Sequence, residues 1–145
     1  MKIKYIEGDL TDAPERFIAH GCNAQGVMGS GVAKAIRAKW PRAYKEYNDK
    51  FQITGLQLGT VVPVFYEDHT ILNCITQEFY GRSGARYVDY DAIRSCIRLL
   101  NNNFSIDGKI AMSKIGSSLG GGDWSIISEI IETESTRFTP VVYEI

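Results

Sequence analysis

His20-Gly21-Cys22-Asn23-Ala24-Gln25-Gly26-Val27-Met28-Gly29-Ser30-Gly31-Val32-Ala33-Lys34-Ala35-Ile36 runs from the end of a buried strand through a glycine-rich loop into a helix. Glycines 26, 29 and 31 let the backbone turn sharply and bring N–H groups close to an anion with no side chain between them. The helix that follows adds its own free N–H groups and the positive end of its dipole. The same glycines would also make a tight strand-to-helix connection with no ligand, and this loop alone does not separate the two readings.

Two familiar nucleotide loops do not fit. Gly26 and Gly31 have the spacing of a triphosphate-binding loop, but Val32 and Ala33 stand where that chemistry needs Lys and then Ser or Thr. Gly29-Ser30-Gly31 opens a dinucleotide fingerprint, yet Lys34 replaces the third glycine and the run does not follow the first strand.

Outward from this stretch, apolar patterning predicts strands over 3–7 and 17–20. Val32, Ala33, Ile36 and Trp40 recur at helical spacing, Trp40-Pro41 marks a boundary, and a second helix carries Ala43, Tyr44, Tyr47 and Phe51. Residues 60–66 and 70–76 read as a hairpin, with Pro63 pointing to an edge strand or a bulge. Tyr90, Ile93, Ile97, Leu100 and Phe104 form the stripe of a third helix. A strand over 110–115 then enters a second glycine loop, Gly116 to Gly122, where Asp123 can cap a helix that buries Trp124, Ile127, Ile130 and Ile131. Residues 140–145 close the pattern as a strand. Helices that separate most strands, with one hairpin among them, predict a three-layer α/β domain with a mixed central sheet. Both glycine loops follow strands, so two phosphate cradles are expected to face one another at the carboxyl ends of those strands.

A chain of 145 residues, 44% hydrophobic and 23% charged, fits one domain over 1–145, since domains commonly hold about 100–150 residues. The net charge of -1 provides no global attraction to nucleic acid or anionic membrane. No apolar run approaches a membrane span and no leader is evident, so a cytoplasmic monomer with a small-molecule partner is expected. Cys22, Cys74 and Cys96 are too few for a disulfide framework and read as reduced thiols. His20 and His69 stand in no metal-ligand spacing, and neither a metal nor a cofactor is expected.

Gly8-Asp9-Leu10-Thr11, His20-Gly21-Cys22-Asn23 running into Gly29-Ser30-Gly31-Val32-Ala33, Thr76-Gln77-Glu78, and Ile115-Gly116-Ser117-Ser118-Leu119-Gly120-Gly121-Gly122-Asp123-Trp124 occur in that order. Together they resemble the macro domain family, which binds ADP-ribose, and the resemblance spans nearly the whole chain. Within the family the chain is most similar to small stand-alone enzymes that process ADP-ribose 1''-phosphate and to related ADP-ribosyl hydrolases. The resemblance implies an α/β/α macro domain. It also implies that Asp9 reads the adenine amino group and the Leu10 backbone a ring nitrogen. Backbone N–H groups of Gly31, Val32 and Ala33 would hold one phosphate, and those of Ser117, Ser118, Leu119 and Gly120 the other. Gly8, Cys22, Ala24, Met28, Gly29, Ser30, Gln77, Ile115 and Gly116 complete the implied binding surface. Tyr80 or Tyr87 is a candidate to flank the adenine.

For the chemistry, the resemblance points to Asn23 on the distal ribose, to Asp123 orienting water or accepting its proton, and to His20 as general acid. Each has a plainer role beside it: a loop-stabilising amide for Asn23, a helix cap for Asp123, a buried imidazole for His20, and a turn former for Asp9. Cys22 lacks the arginine spacing of a cysteine phosphatase and reads as a small buried residue. Gln77 departs from relatives that carry a lysine there, which removes an amine nucleophile. The implied reaction is hydrolysis of ADP-ribose 1''-phosphate. The alternatives are removal of ADP-ribose from a modified macromolecule, deacetylation of O-acetyl-ADP-ribose, and a non-catalytic ADP-ribose reader.

Overall fold

A computed structural model describes residues 1–81, 83, 85–117 and 119–145. Among them the chain forms β1 (Lys4–Glu7), β2 (Phe17–Asn23), α1 (Gly31–Lys39), α2 (Pro41–Thr54), β3 (Val61–Phe65), β4 (Thr70–Gln77), α3 (Tyr90–Asn103), β5 (Lys109–Met112), α4 (Trp124–Glu134) and β6 (Thr139–Glu144). A short 3-10 turn, Leu10–Asp12, follows β1 and was not expected from the apolar pattern. The strands make one sheet in the order β1-β6-β5-β2-β4-β3. β3 pairs antiparallel to β4 and the other neighbours are parallel. The predicted hairpin is therefore present, and Pro63 sits on the edge strand, where a missing N–H is tolerated.

Strand alternation sorts the core into two faces. On β2 and β4, Phe17, Ala19, Leu72 and Cys74 pack against Ile93, Ile97 and Leu100 of α3 and Ile127 and Ile131 of α4. The intervening Ile18 and Ile71 face Ile36, Trp40 and Ala43, while Cys22 and Ile75 face Tyr47 of α2. The sheet thus lies between α1–α2 and α3–α4, the three-layer arrangement expected. All three cysteines are buried free thiols.

Two boundaries moved. β2 continues to Asn23 through an irregularity at Cys22/Asn23, because β4 goes on pairing with it after the β5 pairing stops at Ala19. β5 ends at Met112, where Ser113 to Ile115 turn away and the Ile115 N–H donates to the Ser113 carbonyl at 2.8 Å.

Asp123 caps α4 as expected, its carboxylate accepting from the Ser125 N–H, and Asp89 does the same for α3 through Ala92. α1 differs. Ser30 at its N-cap makes no side-chain hydrogen bond, and Ile36 is the one residue within the helix that is fully buried. Val32, expected on the inner stripe, is 43% exposed. Ile36, with the partly buried Ala33 beside it, therefore seats the helix on the sheet. Ile36→Ala should destabilise the protein by about 3 kcal/mol, because a buried isoleucine is lost where the thin helix cannot collapse to refill the space. A urea-denaturation midpoint equal to that of the wild type would contradict this account of α1.

Candidate functional site

A cavity of about 750 Å³ opens above the carboxyl ends of the parallel strands. Sheet order sets its long axis. Gly8 to Thr11 follow β1 and Tyr143 to Ile145 end β6 at one extreme, while Asn23, Thr76, Gln77 and Tyr80 lie near the ends of β2 and β4 at the other. Gly29 to Ala33 form one side wall, and Gly116, Leu119 and Gly120 the opposite one. A Cβ built on Gly31 would lie 3.6 Å from Leu119 Cδ1, so the two glycine loops meet across the cavity.

The first loop leaves the sheet under the control of Asn23. Its Nδ2 donates to the Val27 carbonyl at 2.9 Å, its Oδ1 accepts from the Gln25 N–H at 3.0 Å, and the Tyr47 hydroxyl donates to its backbone carbonyl at 2.6 Å. A carboxamide carries two N–H groups, so the second one on Nδ2 remains for the cavity that Asn23 lines. Gly31, at φ +61°, turns the chain into α1. The first closed helical bond is from the Lys34 N–H to the Ser30 carbonyl at 3.3 Å. The N–H groups of Gly31, Val32 and Ala33 precede that bond and line the wall, the arrangement that favours an anion.

The second loop is held from behind. The Gly122 N–H donates to the Gly116 carbonyl at 2.8 Å, and the Tyr87 N–H donates to the Gly120 carbonyl at 2.8 Å. Cβ atoms at Gly116 or Gly122 would each come within 2.7 Å of the buried Val88 side chain, so glycine is required there by packing. Leu119 and Gly120 reach the cavity. Ser117 does not: its N–H and its hydroxyl both turn to the Lys114 carbonyl, at 3.2 and 2.8 Å. This corrects its expected part in the phosphate cradle. Ser118, expected beside it, lies outside the described residues.

At the other extreme, Asp9 caps the Leu10–Asp12 turn, Oδ1 accepting from the Thr11 N–H and the Thr11 hydroxyl at 2.8 Å each. Those two bonds, with Lys39 nearby, lower the Asp9 pKa and keep it ionised. The second carboxylate oxygen is left to accept from a ligand. Tyr143 adds a phenol that donates to Glu15, and burial with that carboxylate pushes its pKa up to about 12.

The three residues expected to carry chemistry are not brought together. Asn23 lines the cavity; His20 and Asp123 do not. His20 points into the α1–α2 layer, fully buried, with Nε2 2.6 Å from Asn73 Oδ1. Asn73 fixes its own orientation by donating to the Ala43 carbonyl at 3.2 Å. Nε2–H is therefore the donor, and Cys22 Sγ packs beside the pair, 3.6 Å from Nε2 and 3.8 Å from both Nδ1 and Asn73 Oδ1. Burial lowers the His20 pKa to about 4 and raises that of Cys22. His20 has no path to a leaving oxygen, and the general-acid role is corrected to a structural one. Asp123 spends Oδ1 on the Ser125 N–H and hydroxyl, at 2.9 and 2.7 Å, and faces solvent off the cavity. Ala24 and Met28 are buried behind the first loop rather than on the wall. Tyr80 lines the site and Tyr87 does not.

The sequence reading missed Thr11, Gly21, Val27, Ala35, Thr76, Ser113, Lys114, Tyr143, Glu144 and Ile145 on the cavity wall. Most of them stand at or just beyond the carboxyl end of a parallel strand. Once the strands are taken as parallel, that position is itself the signal. Gln77 lines the wall, its Nε2 donating to the Phe79 carbonyl at 2.7 Å.

A sequence profile for the Macro domain matches residues 19–131. A 17.5 kDa protein of Enterobacteria phage T4 is 32% identical over 154 residues, covering 99% of this chain and 97% of the relative. An ADP-ribose 1''-phosphate phosphatase of Candida albicans is 29% identical over 135 residues, covering 84% and 86%. Among solved structures, Thermosipho africanus DarTG in complex with ADP-ribose superposes with a TM-score of 0.84 at 20% identity, covering 98% of this chain and 41% of the other.

The buried imidazole makes stability depend on pH. An unfolded histidine titrates near 6.5 and folded His20 near 4, so as pH falls the unfolded chain takes up the proton first. Stability from this group is complete above pH ~6.5 and is lost between there and pH ~4, about 3 kcal/mol in all. Denaturation midpoints measured across that window should fall for the wild type and fall less steeply for His20→Gln. Equal slopes for the two proteins would contradict the assignment.

Proposed function

The chain belongs to the macro domain family, and from that premise we propose that it binds ADP-ribose and removes phosphate from ADP-ribose 1''-phosphate. The observation that carries this reading is the pair of loops that meet across the cavity, the first with the Gly31 to Ala33 N–H groups ahead of the first helical bond and the second reaching the cavity at Leu119 and Gly120. A helix N-terminus of this kind suits a phosphate, and two facing glycine loops suit a diphosphate. Asp9, ionised and with one oxygen unused, suits the adenine amino group at the β1 end. The likeness to a relative named ADP-ribose 1''-phosphate phosphatase supports the reaction, and the neighbour solved with ADP-ribose supports the ligand.

In this reading the adenosine diphosphate is clamped and the distal ribose reaches Asn23, whose spare N–H orients it. Water attacks the 1''-phosphorus, the bond from phosphorus to the anomeric oxygen breaks, and that oxygen takes a proton from the water as phosphate leaves. Phosphoryl transfer passes through a loose transition state that asks little of a general base, so positioning and backbone donors supply most of the acceleration. That matches a distal end built from Asn23, Thr76, Gln77 and Tyr80, with the wall carboxylates Asp9 and Glu144 at the far end. The same absence of a carboxylate or imidazole among the described distal residues favours, as a second reading, a protein that only binds ADP-ribose.

Calorimetry should show ADP-ribose binding far more tightly than AMP, and purified protein should release phosphate from ADP-ribose 1''-phosphate. Binding without turnover selects the second reading, and no binding removes both. Asp123→Ala should cost about 1 kcal/mol of stability through loss of the α4 cap while phosphate release is retained. Loss of turnover in a folded Asp123→Ala protein would return that carboxylate to the reaction.

A further inference from the structure

Lys114 is the one basic residue among the described residues that lines the cavity, and its ammonium lies 3.4 Å from the carboxylate of Glu144, which lines it too. The two side chains are 39% and 43% exposed, and an ion pair so open to water contributes little to stability. Its separation is also longer than the about 2.8 Å of a closed charged hydrogen bond, so neither group is fully engaged by the other. The carboxylate keeps lone pairs with which to accept, and the ammonium keeps N–H groups to donate. The Trp124 ring, centred 5.3 Å from Lys114 Nζ at the start of α4, flanks the ammonium.

Sheet order says what this pair faces. Asp9 follows β1 and Asn23 ends β2, with β6 and β5 between them; Glu144 ends β6, and Lys114 stands just beyond β5. With adenine at Asp9 and the diphosphate at the glycine loops, the ribose of the adenosine half joins the two covalently and must cross the ends of β6 and β5. Its 2'- and 3'-hydroxyls are neighbours that can each donate and accept. A carboxylate beside an ammonium matches such a diol, with an acceptor for one hydroxyl and a donor for the other.

We propose that Glu144 and Lys114 together read the ribose of the adenosine half, Glu144 accepting from one hydroxyl and Lys114 donating to its neighbour. The pair is then a specificity element for a ribonucleotide, placed between the group that reads the base and the loops that hold the phosphates. The assignment rests on the ADP-ribose reading above. As a plain clip the pair would only tie the end of β5 to the end of β6, and would be indifferent to the hydroxyls of the ligand.

Calorimetry with ADP-ribose and with its two analogues that lack the 2'- or the 3'-hydroxyl of the adenosine ribose separates the two roles. The wild type should bind each analogue about fivefold more weakly than ADP-ribose, the effect of one hydrogen bond. Glu144→Ala and Lys114→Met should each bring at least one of those ratios close to one. Equal binding of the three ligands by the wild type overturns the proposal. So does either variant in which both ratios keep their wild-type values, because loss of a clip lowers all three affinities by one factor. Failure of the wild type to bind ADP-ribose at all is a separate result, distinct from binding without discrimination, and it removes the functional reading and the ribose assignment with it.

Discussion

The direction in which the chain leaves β2 is fixed by hydrogen bonds around Asn23, and the cavity exists because of that direction. The Tyr47 hydroxyl takes the Asn23 carbonyl, and the carboxamide ties Gln25 and Val27 into one turn. Tyr47 is itself fully buried on α2, so the turn is referenced to the sheet through a helix that lies beyond it in sequence. From there the glycines deliver the start of α1 to the cavity wall with its first N–H groups unused. α1 could not hold that position alone, since it rests on the sheet through Ile36.

The two glycine loops face each other but are built for different reasons. In the first, a Cβ on Gly31 would only touch Leu119 at 3.6 Å, and glycine is called for by the backbone, at φ +61°. In the second, Gly116 and Gly122 are small because Val88 fills the space behind them, and the Tyr87 N–H holds the loop by its Gly120 carbonyl. Packing also acts on the first loop at Gly26, where a Cβ would lie 2.7 Å from the Phe51 ring, so each glycine has its own reason. A glycine count does not distinguish these cases; the neighbour of each missing Cβ does.

Much of the fold was legible because alternation along β2 and β4, helical stripes and Asp caps are local signals. The first wall of the site was legible for the same reason. What escaped depended on pairing between distant segments. His20 meets Asn73 across 53 positions of sequence, and only the β2–β4 register shows that both point inward. Asp123 was read both as a cap and as a catalytic group, and its position relative to the cavity, which the residue type does not encode, decided for the cap. Tyr143, Glu144 and Ile145 reach the wall because β6 lies beside β1, an adjacency of chain ends that no local pattern marks.

α1 is tied at both ends. Its first turn forms the anion wall, and Lys39 in its last turn donates to the Thr11 carbonyl and lies 3.6 Å from Asp12, beside the turn that carries Asp9. A nine-residue helix spans about 13 Å and does not stretch. The wall at Gly31 to Ala33 and the turn that carries Asp9 are thus linked through one helix of fixed length. A ligand held at both places must match the distance between them, so a molecule with the right parts at the wrong spacing can satisfy one end only.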